Sequence, residues 1–205
     1  MINANADAMG IIFPNNYDKF VPELVSERLM ASIPFASRYR MIDFLLSSMV
    51  GCGIDKIEVL VRENYHSLVD HLGGGREWDL SRKNGGLSIF PPFAQKSIGS
   101  MGGGRVEALA NILPVLKKQK EKYVIMADTN IAANFDFNAL IAQHVKTDAD
   151  ITFAYTKEEL PEELTGAKDA SKGLYYTLKL DGDKVEDIYI NKQDQGVQNF
   201  SMNIY

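Results

Sequence analysis

Asp128 is the carboxylate in this chain that is best placed for metal chemistry. It directly follows Tyr123 to Ala127, an apolar run that predicts a buried strand. Mg²⁺ prefers oxygen ligands, but its sites also use substrate phosphates and water, so one carboxylate does not define them. Asp128 is therefore predicted to contact a metal ion or a nucleotide. The alternative is that it caps the turn after the strand.

Three charged residues stand at the start of a predicted helix. Arg40 and Asp43 are three positions apart, so they can pair on one helix face, and Arg38 precedes the helix. Such groups serve catalysis where their pKa values are strongly shifted. We interpret them as a charge-satisfied helix start rather than as a catalytic cluster.

The histidines and the cysteine show no catalytic or metal-binding pattern. His66, His71 and His144 have no carboxylate or cysteine partner at the spacing of a triad or a metal site, and none forms a zinc pattern with Cys52. A single cysteine also excludes an internal disulfide. This favours a reducing compartment, so we expect a cytoplasmic protein.

The elements that position these residues alternate between strands and helices. The apolar pattern predicts strands at Ala8 to Phe13, Lys56 to Val61, Tyr123 to Ala127 and Asp150 to Tyr155, and helices at Tyr39 to Cys52, Tyr65 to Leu72, Arg105 to Lys120 and Phe137 to Thr147. This alternation predicts an α/β fold with a Rossmann-like, doubly wound, mostly parallel sheet. From Leu174 onward, closely spaced strands around the turn Asp181-Gly182-Asp183 predict a small antiparallel addition.

Ligands of such a sheet bind beyond the carboxyl ends of its strands. Three places qualify here: after Phe13, after Val61 and after Ala127. The glycine-rich segments 73–86 and 99–104 are predicted to be mobile loops over the site. On the helix 105–120, the predicted buried face is formed by Val106, Leu109, Leu113 and Leu116.

Composition narrows the function classes. The chain has 205 residues, of which 45% are hydrophobic, enough for the core of one α/β domain. Its net charge of -5 lacks the basic surface of a nucleic-acid-binding protein. We see neither a signal peptide nor an apolar stretch long enough to cross a bilayer, so the sequence predicts a soluble, unprocessed protein.

One segment resembles the signature of the sugar-nucleotide pyrophosphorylases, in the form found in ADP-glucose pyrophosphorylases. It reads I-P-F-A-S-R-Y-R-M-I-D-F from Ile33 to Phe44, where the family has V-P-F-G-G-K-Y-R-L-I-D-F. Glu77 to Leu80 and Gly86 to Pro92 resemble the GlgD-type subunits of bacterial glycogen synthesis, which carry K-E-W-D-L-x-R-K-x-G-G-L-x-I-L-P-P there. Trp78 in this segment could anchor a partner or plug its own loop into the core.

The resemblance implies a phosphate-binding loop after the first strand, but this loop has lost its chemistry. Three glycines of the family loop fall on Asn15, Asn16 and Asp18, and its arginine falls on Phe20. Phosphate binding needs open backbone N–H groups and cations. A carboxylate at Asp18 would repel phosphate, so we interpret the segment as an ordinary strand-to-helix loop.

Other implied site residues follow from matched motifs. Gly104 and Glu107 fall on the family's G-T-A-D-A and are implied substrate contacts. Asp128 falls on the aspartate of S-G-D-H-I that holds Mg²⁺, and Lys192 on the lysine of V-E-K-P that takes the sugar phosphate. The alternative for Lys192 is a solvated lysine on a strand.

The last motif bears on domain organisation. Ser201 to Tyr205 matches S-M-G-I-Y, after which the family continues into a left-handed β-helix domain. We therefore expect 1–205 to be one nucleotidyltransferase-like domain that is truncated before that second domain.

The resemblance implies a subunit of glucose-1-phosphate adenylyltransferase, which makes ADP-glucose and pyrophosphate from ATP and glucose 1-phosphate with Mg²⁺. Because the loop is degenerate, we expect a regulatory or activating role towards a catalytic homologous subunit, in a heterotetramer. One alternative is an enzyme active alone through Asp128 and Lys192. A second is a module that senses a sugar phosphate or nucleotide, and a third is a UDP- or dTDP-glucose enzyme.

Overall fold

The structure is a computed structural model that describes residues 7–13, 17–83, 85–91, 105–165 and 173–205. The helices in this part of the chain are α1 Pro22–Val25, α2 Met41–Gly51, α3 His66–Leu72, α4 Arg105–Leu116 and α5 Phe137–Thr147. The strands are β1 Ala8–Phe13, β2 Pro34–Phe35, β3 Tyr39–Arg40, β4 Lys56–Leu60, β5 Gly86–Phe90, β6 Tyr123–Asp128, β7 Tyr155–Glu159, β8 Tyr176–Asp181, β9 Lys184–Ile190 and β10 Val197–Ser201.

A parallel sheet with the strand order β5-β4-β1-β6 forms the centre of the fold. Every residue of β1 is buried, as expected for a strand covered on both faces by helices. Strands β4 and β5 lie on one side of β1, and β6 lies on the other. Successive strands are therefore added first on one side of β1 and then on the other. The boundary between β1 and β6 is the topological switch point, where doubly wound folds bind ligands. The predicted fold class is confirmed.

The sheet has a core on each face. The larger core, on one face, includes residues of α2, α3 and α5, and the smaller core on the other face includes Ile112 of α4. The predicted buried face of α4 is wrong in part, because Val106 is 81% exposed and Leu113 is 44% exposed. Leu109 and Leu116 do pack against the smaller core. Because apolar residues lie on several sides of this helix, the sequence does not indicate which side is buried.

The fourth parallel strand is β5, which the sequence prediction missed. The parallel strand predicted at Asp150 to Tyr155 is wrong, because residues 150–154 lie outside the strands and Tyr155 begins β7, which pairs antiparallel with β10. At the start of β5, Gly86 has a φ of +82°, and an added Cβ would lie 2.3 Å from the backbone oxygen of Leu80. Only glycine fits this close approach.

The second sheet is antiparallel, with the order β7-β10-β8-β9. It includes the hairpin of β8 and β9, which turns at Gly182 as predicted. After β10 the chain enters the first sheet, where Ile204 bridges to Ala127 of β6. The two sheets are therefore joined through a backbone connection at β6.

The glycine-rich segment 73–86 contains packed structure in its described residues. It includes a short 3-10 helix, Arg76–Trp78, and a fully buried Leu80. Trp78 packs against the larger core, and its ring lies 5.9 Å from the His71 ring. Of the two expectations for Trp78, the structure confirms the one in which it packs its own loop against the core. Segment 99–104 lies outside the described residues.

Among the helices of the described part of the chain, none combines the length and the apolarity that crossing a membrane requires.

Candidate functional site

The candidate site lies at the carboxyl ends of β1, β4 and β6. These strands are parallel neighbours, so the three places predicted from the sequence meet at one edge of the sheet. The segment after β1 contributes Tyr17 and Asp18, β6 ends on Asp128, and α4 begins beside it with Arg105.

Asp128 and Arg105 form the central contact of the site. The Arg105 Nε donates to Asp128 Oδ1 at 3.1 Å, and Nη2 donates to Asp128 Oδ2, so both carboxylate oxygens are engaged. The Asp128 side chain is 1% exposed, and that of Arg105 is 35% exposed. The Arg105 guanidinium also lies 5.6 Å from the ring of Tyr205. This two-pronged geometry matches the planar fork of arginine.

The electrostatics of the pair combine burial with mutual attraction. Burial raises the pKa of the Asp128 carboxyl, while the hydrogen bond and charge of Arg105 oppose that rise without cancelling it. Burial lowers the pKa of the Arg105 guanidinium, but the bond and charge of Asp128 outweigh it, so its pKa lies above the ordinary value. Arg105 therefore stays a cation beside Asp128 at every physiological pH.

A second polar contact closes the site beside this pair. The amide nitrogen of Asn203 donates to the Tyr17 hydroxyl at 2.7 Å, and the Tyr205 hydroxyl donates to the Asn203 amide oxygen at 3.3 Å. Burial raises the pKa of Tyr17 to about 12, and Asp128 and Arg105 both lie close enough to influence it. Asn203 is buried with a φ of +53°, a conformation that asparagine tolerates better than most residues.

Asp18 brings a negative charge to the loop after β1. Burial raises the pKa of its carboxyl, although a hydrogen bond from the Met30 backbone and the charge of Arg62 lower it in part. Its Oδ1 is buried without a hydrogen-bond partner among the described residues. Phe20 is half-buried, and its ring centroid lies 6.4 Å from that of Tyr17. Asn15 and Asn16 lie outside the described residues.

The cavity beside Asp18 is small and mostly apolar. Its lining includes Leu29, Ala31, Leu60 and Thr129. Apolar walls offer neither donors nor cations to a phosphate group. At this position the described part of the loop supplies little of what a triphosphate requires.

The predicted substrate residues lie in two different parts of the fold. Glu107 is half-buried in the first turn of α4, near the Arg105 end, and Gly104 lies outside the described residues. Lys192 follows β9 in the second sheet. Its ammonium pairs with Asp194 at 2.8 Å and lies 4.2 Å from the Tyr189 ring. Whether Glu107, Gly104 or Lys192 binds substrate stays a prediction.

The loop that carries Lys192 is held by residues that no sequence pattern indicated. Asn191 is buried with a φ of +51°; its oxygen accepts from the Tyr175 backbone N–H at 3.0 Å, and its nitrogen donates to the Gly173 oxygen. The Tyr175 hydroxyl donates to the Lys192 oxygen at 2.9 Å. These partners are distant in sequence, so no local pattern could have indicated them.

Arg40 and Asp43 do pair, but through the Arg40 backbone and not through its side chain as predicted. Asp43 accepts from the backbone N–H of Arg40 at 2.9 Å, and the Arg40 side chain donates instead to the Ser32 oxygen and the Ser67 hydroxyl. The side-chain partner of Asp43 is His71, whose Nε2 lies 2.7 Å from Oδ1, so this histidine does have a carboxylate partner that the sequence spacing does not indicate. Asp43 therefore caps the start of α2, as the structural interpretation expects. That Arg38, Arg40 and Asp43 have no catalytic role stays a prediction.

The residues present do not fit a bound divalent metal well. The family resemblance implies Mg²⁺, but within the described ranges no three His, Cys, Asp or Glu side chains are grouped as metal ligands. Asp128, the predicted ligand, has both oxygens engaged by Arg105. Its role as a metal ligand stays a prediction.

Comparison with known proteins gives consistent matches. A family model described as nucleotidyl transferase matches residues 23–167. The glycogen biosynthesis protein GlgD of Geobacillus stearothermophilus is 36% identical over 151 residues, which cover 72% of this chain and 43% of that protein. GlgD of Bacillus subtilis is 33% identical, with the same coverage of both chains. A glucose-1-phosphate adenylyltransferase of Thermotoga neapolitana is 34% identical over 68% of this chain and 33% of its own length.

A solved structure is similar in fold. It is a Bacillus anthracis protein assigned as a glucose-1-phosphate thymidylyltransferase, with a TM-score of 0.66 and 13% identity over 96% of this chain and 70% of that one. At this identity the likeness concerns the fold alone. The chain spans less than half the length of the curated relatives described above.

Proposed function

The chain belongs to the nucleotidyl transferase family, and from this we propose that it is the nucleotidyltransferase-like part of a GlgD-type subunit of glucose-1-phosphate adenylyltransferase. The complete enzyme would transfer the adenylyl group of ATP to glucose 1-phosphate, releasing pyrophosphate, for bacterial glycogen biosynthesis. The GlgD proteins at 33% and 36% identity support this assignment over a UDP- or dTDP-glucose enzyme.

The observation that carries the non-catalytic role is the carboxylate of Asp18 in the loop after β1. Phosphoryl chemistry is accelerated by cations and N–H groups aimed at the phosphate oxygens. In this loop, the described residues place a half-buried carboxylate with an unpartnered oxygen at the sheet edge, next to an apolar cavity. A negative charge in a site of low dielectric would repel the phosphate oxygens and raise the activation barrier of nucleotidyl transfer.

We therefore infer that this subunit assembles with a catalytic homologue and shifts the population of that homologue's active state. The assembly would be a hetero-oligomer, in the form of a heterotetramer, in the bacterial cytoplasm. Mg²⁺ would act at the catalytic homologue's site. We also propose that residues 1–205 form one nucleotidyltransferase-like domain that precedes a left-handed β-helix domain in the complete protein.

A second candidate function is the sensing of a sugar phosphate without turnover, and the position of Lys192 favours it. The Lys192 side chain is 42% exposed, while its backbone is fixed by the buried Tyr175. A cation on a rigid loop can receive a phosphate monoester if Asp194 releases it. Glu107 and Gly104 stay proposed substrate contacts under this function.

Pyrophosphate release tests the proposal. The assay compares the complete protein alone, the catalytic homologue alone and their mixture, each with ATP, glucose 1-phosphate and Mg²⁺. We expect little turnover from this protein alone and a higher rate in the mixture than in the homologue alone. Turnover by this protein alone within tenfold of the homologue would contradict the non-catalytic role. A mixture no faster than the homologue would contradict the activating role.

Calorimetry separates the sensing function. Glucose 1-phosphate is titrated into the complete protein and into its Lys192→Ala variant, with Lys157→Ala, which removes an exposed lysine of β7, as the matched control. Sensing predicts binding that is lost only in Lys192→Ala. Equal binding by all three proteins, or by none, would contradict this second function.

A further inference from the structure

We propose that the guanidinium of Arg105 takes the place of a divalent cation at Asp128, so that this cleft carries a protein cation where the family resemblance implies a metal ion. The inference concerns the cofactor of this chain. It holds whether or not the subunit activates a partner, because it depends only on what Asp128 binds.

A metal ion at Asp128 would have to compete with Arg105 for both carboxylate oxygens. Both of its oxygens accept from Arg105, one from Nε at 3.1 Å and the other from Nη2. Mg²⁺ requires near-octahedral coordination and gives up its water ligands reluctantly, so it usually keeps several of them. A side chain that is 1% exposed admits no such hydrated ion unless Arg105 moves away.

The groups that act electrostatically on the pair are also unsuited to a second cation. They are the phenols of Tyr17, Tyr176 and Tyr205 and the guanidinium of Arg62. Two arginines thus act on Asp128, and among the described groups no second carboxylate does so. A divalent ion placed there would be repelled by both guanidinium groups.

Two substitutions relative to the family motifs create this arrangement. Where the resembled G-T-A-D-A motif has threonine, this chain has Arg105, and where S-M-G-I-Y has glycine, it has Asn203. A threonine is too short to pair with Asp128 in this two-pronged way. A glycine could not reach the Tyr17 hydroxyl, to which the Asn203 side chain donates at 2.7 Å. Both side chains therefore fill the cleft from within.

Mn²⁺ binding, followed by electron paramagnetic resonance of the free ion, tests the proposal on the complete protein. We expect wild type and Asp128→Asn to bind Mn²⁺ equally, because Asp128 contributes no site in wild type. Arg105→Thr should gain Mn²⁺ binding, and Arg105→Thr combined with Asp128→Asn should lose it again. The matched control is Lys179→Thr, which frees the exposed carboxylate of Glu186 from its 2.6 Å pair and should gain nothing comparable.

Two outcomes would overturn the proposal. The first is Mn²⁺ binding by wild type that disappears in Asp128→Asn. The second is folded Arg105→Thr protein, verified by circular dichroism, that gains no Asp128-dependent binding.

A measurement on wild type needs no variant to fold. Its thermal midpoint should be the same in MgCl₂ and in KCl of equal ionic strength, since Asp128, paired with Arg105, offers no site through which Mg²⁺ would stabilise the native state. A rise specific to Mg²⁺ would contradict the replacement of the metal by Arg105.

Discussion

At the scale of single residues, the charge state of the site is set by which groups lose contact with water. Asp128 is buried and its charge is compensated by the partly exposed Arg105, whereas Asp18 is half-buried with an oxygen that has no partner among the described residues. Removing one partner of a buried ion pair strongly destabilises a protein, because the charge of the other partner is left uncompensated. An incompletely satisfied charge, by contrast, costs stability in the native protein itself.

Replacing Asp128 with Ala should lower the free energy of unfolding by about 2 kcal/mol, less than for a fully buried pair because the Arg105 side chain left unpaired is 35% exposed. Urea denaturation of wild type and variant measures the difference. The control is Glu186→Ala, which removes the carboxylate of an exposed pair and should cost below about 1 kcal/mol. Equal losses in the two variants would show that the Arg105 pair is not a buried structural contact.

Asp18→Asn should stabilise the protein at neutral pH. The pKa of Asp18 is raised in the folded state, so folding favours the protonated carboxyl. Its contribution to stability is complete below the unfolded value and is lost as the pH rises through the folded pKa. Unfolding followed from acid to neutral pH should therefore show Asp18→Asn gaining stability over wild type as the pH rises. A constant difference across that range would contradict this assignment.

At the scale of elements, β5 depends on a close backbone approach. Gly86, its first residue, donates its N–H to the Asp55 oxygen at 2.7 Å and faces the Leu80 oxygen where a Cβ would stand. The packed segment 73–86 is thereby fixed against the edge strand of the parallel sheet. Glycine here serves packing, whereas the sequence had suggested mobility.

Gly86→Ala should cost about 3 kcal/mol or more, since it combines a positive φ with a backbone clash. Gly182→Ala is the matched control, because Gly182 also has a positive φ, +58°, but has nothing within 4 Å of an added Cβ. It should cost only the conformational strain, about 1 kcal/mol. Chemical denaturation measures both variants, and equal costs would exclude the clash with Leu80.

At the scale of the whole molecule, the connection through Ile204 joins the two sheets. Ile204 is fully buried in the larger core and bridges to Ala127, and its backbone oxygen accepts from the Ala154 N–H at 3.0 Å. Residues that follow β10 in the second sheet thus complete the packing of the first sheet. We expect the two sheets to unfold as one cooperative unit.

Ile204→Ala should lower the free energy of unfolding by about 2–5 kcal/mol through loss of buried contact and a residual cavity. The fluorescence of Trp78, the only tryptophan in the sequence, and far-UV circular dichroism should shift to the same lower midpoint. Ile190→Ala, at a position that is 61% exposed, is the control and should change little. Separate midpoints for the two probes would contradict a single unit.

The sequence by itself determined the elements whose pattern is local. Strand β1 and helix α5 have the bounds that the sequence predicts. A short apolar run indicates the strand and a helical repeat of apolar residues indicates the helix, and both patterns are local. The switch-point site followed from the order of these elements. The prediction of a degenerate loop came from the family resemblance, in which Asp18 and Phe20 fall on a glycine and an arginine.

Only the tertiary structure decided which groups meet. Asp128 is held by Arg105, 23 positions away, and Asp43 by His71, 28 positions away, while Asn203 reaches Tyr17 across 186 positions. The placement of β5 and β7 in their sheets likewise depended on long-range pairing. Local periodicity carries no information about such contacts, because the free energy that selects them comes from burial and charge compensation between distant segments of the folded chain.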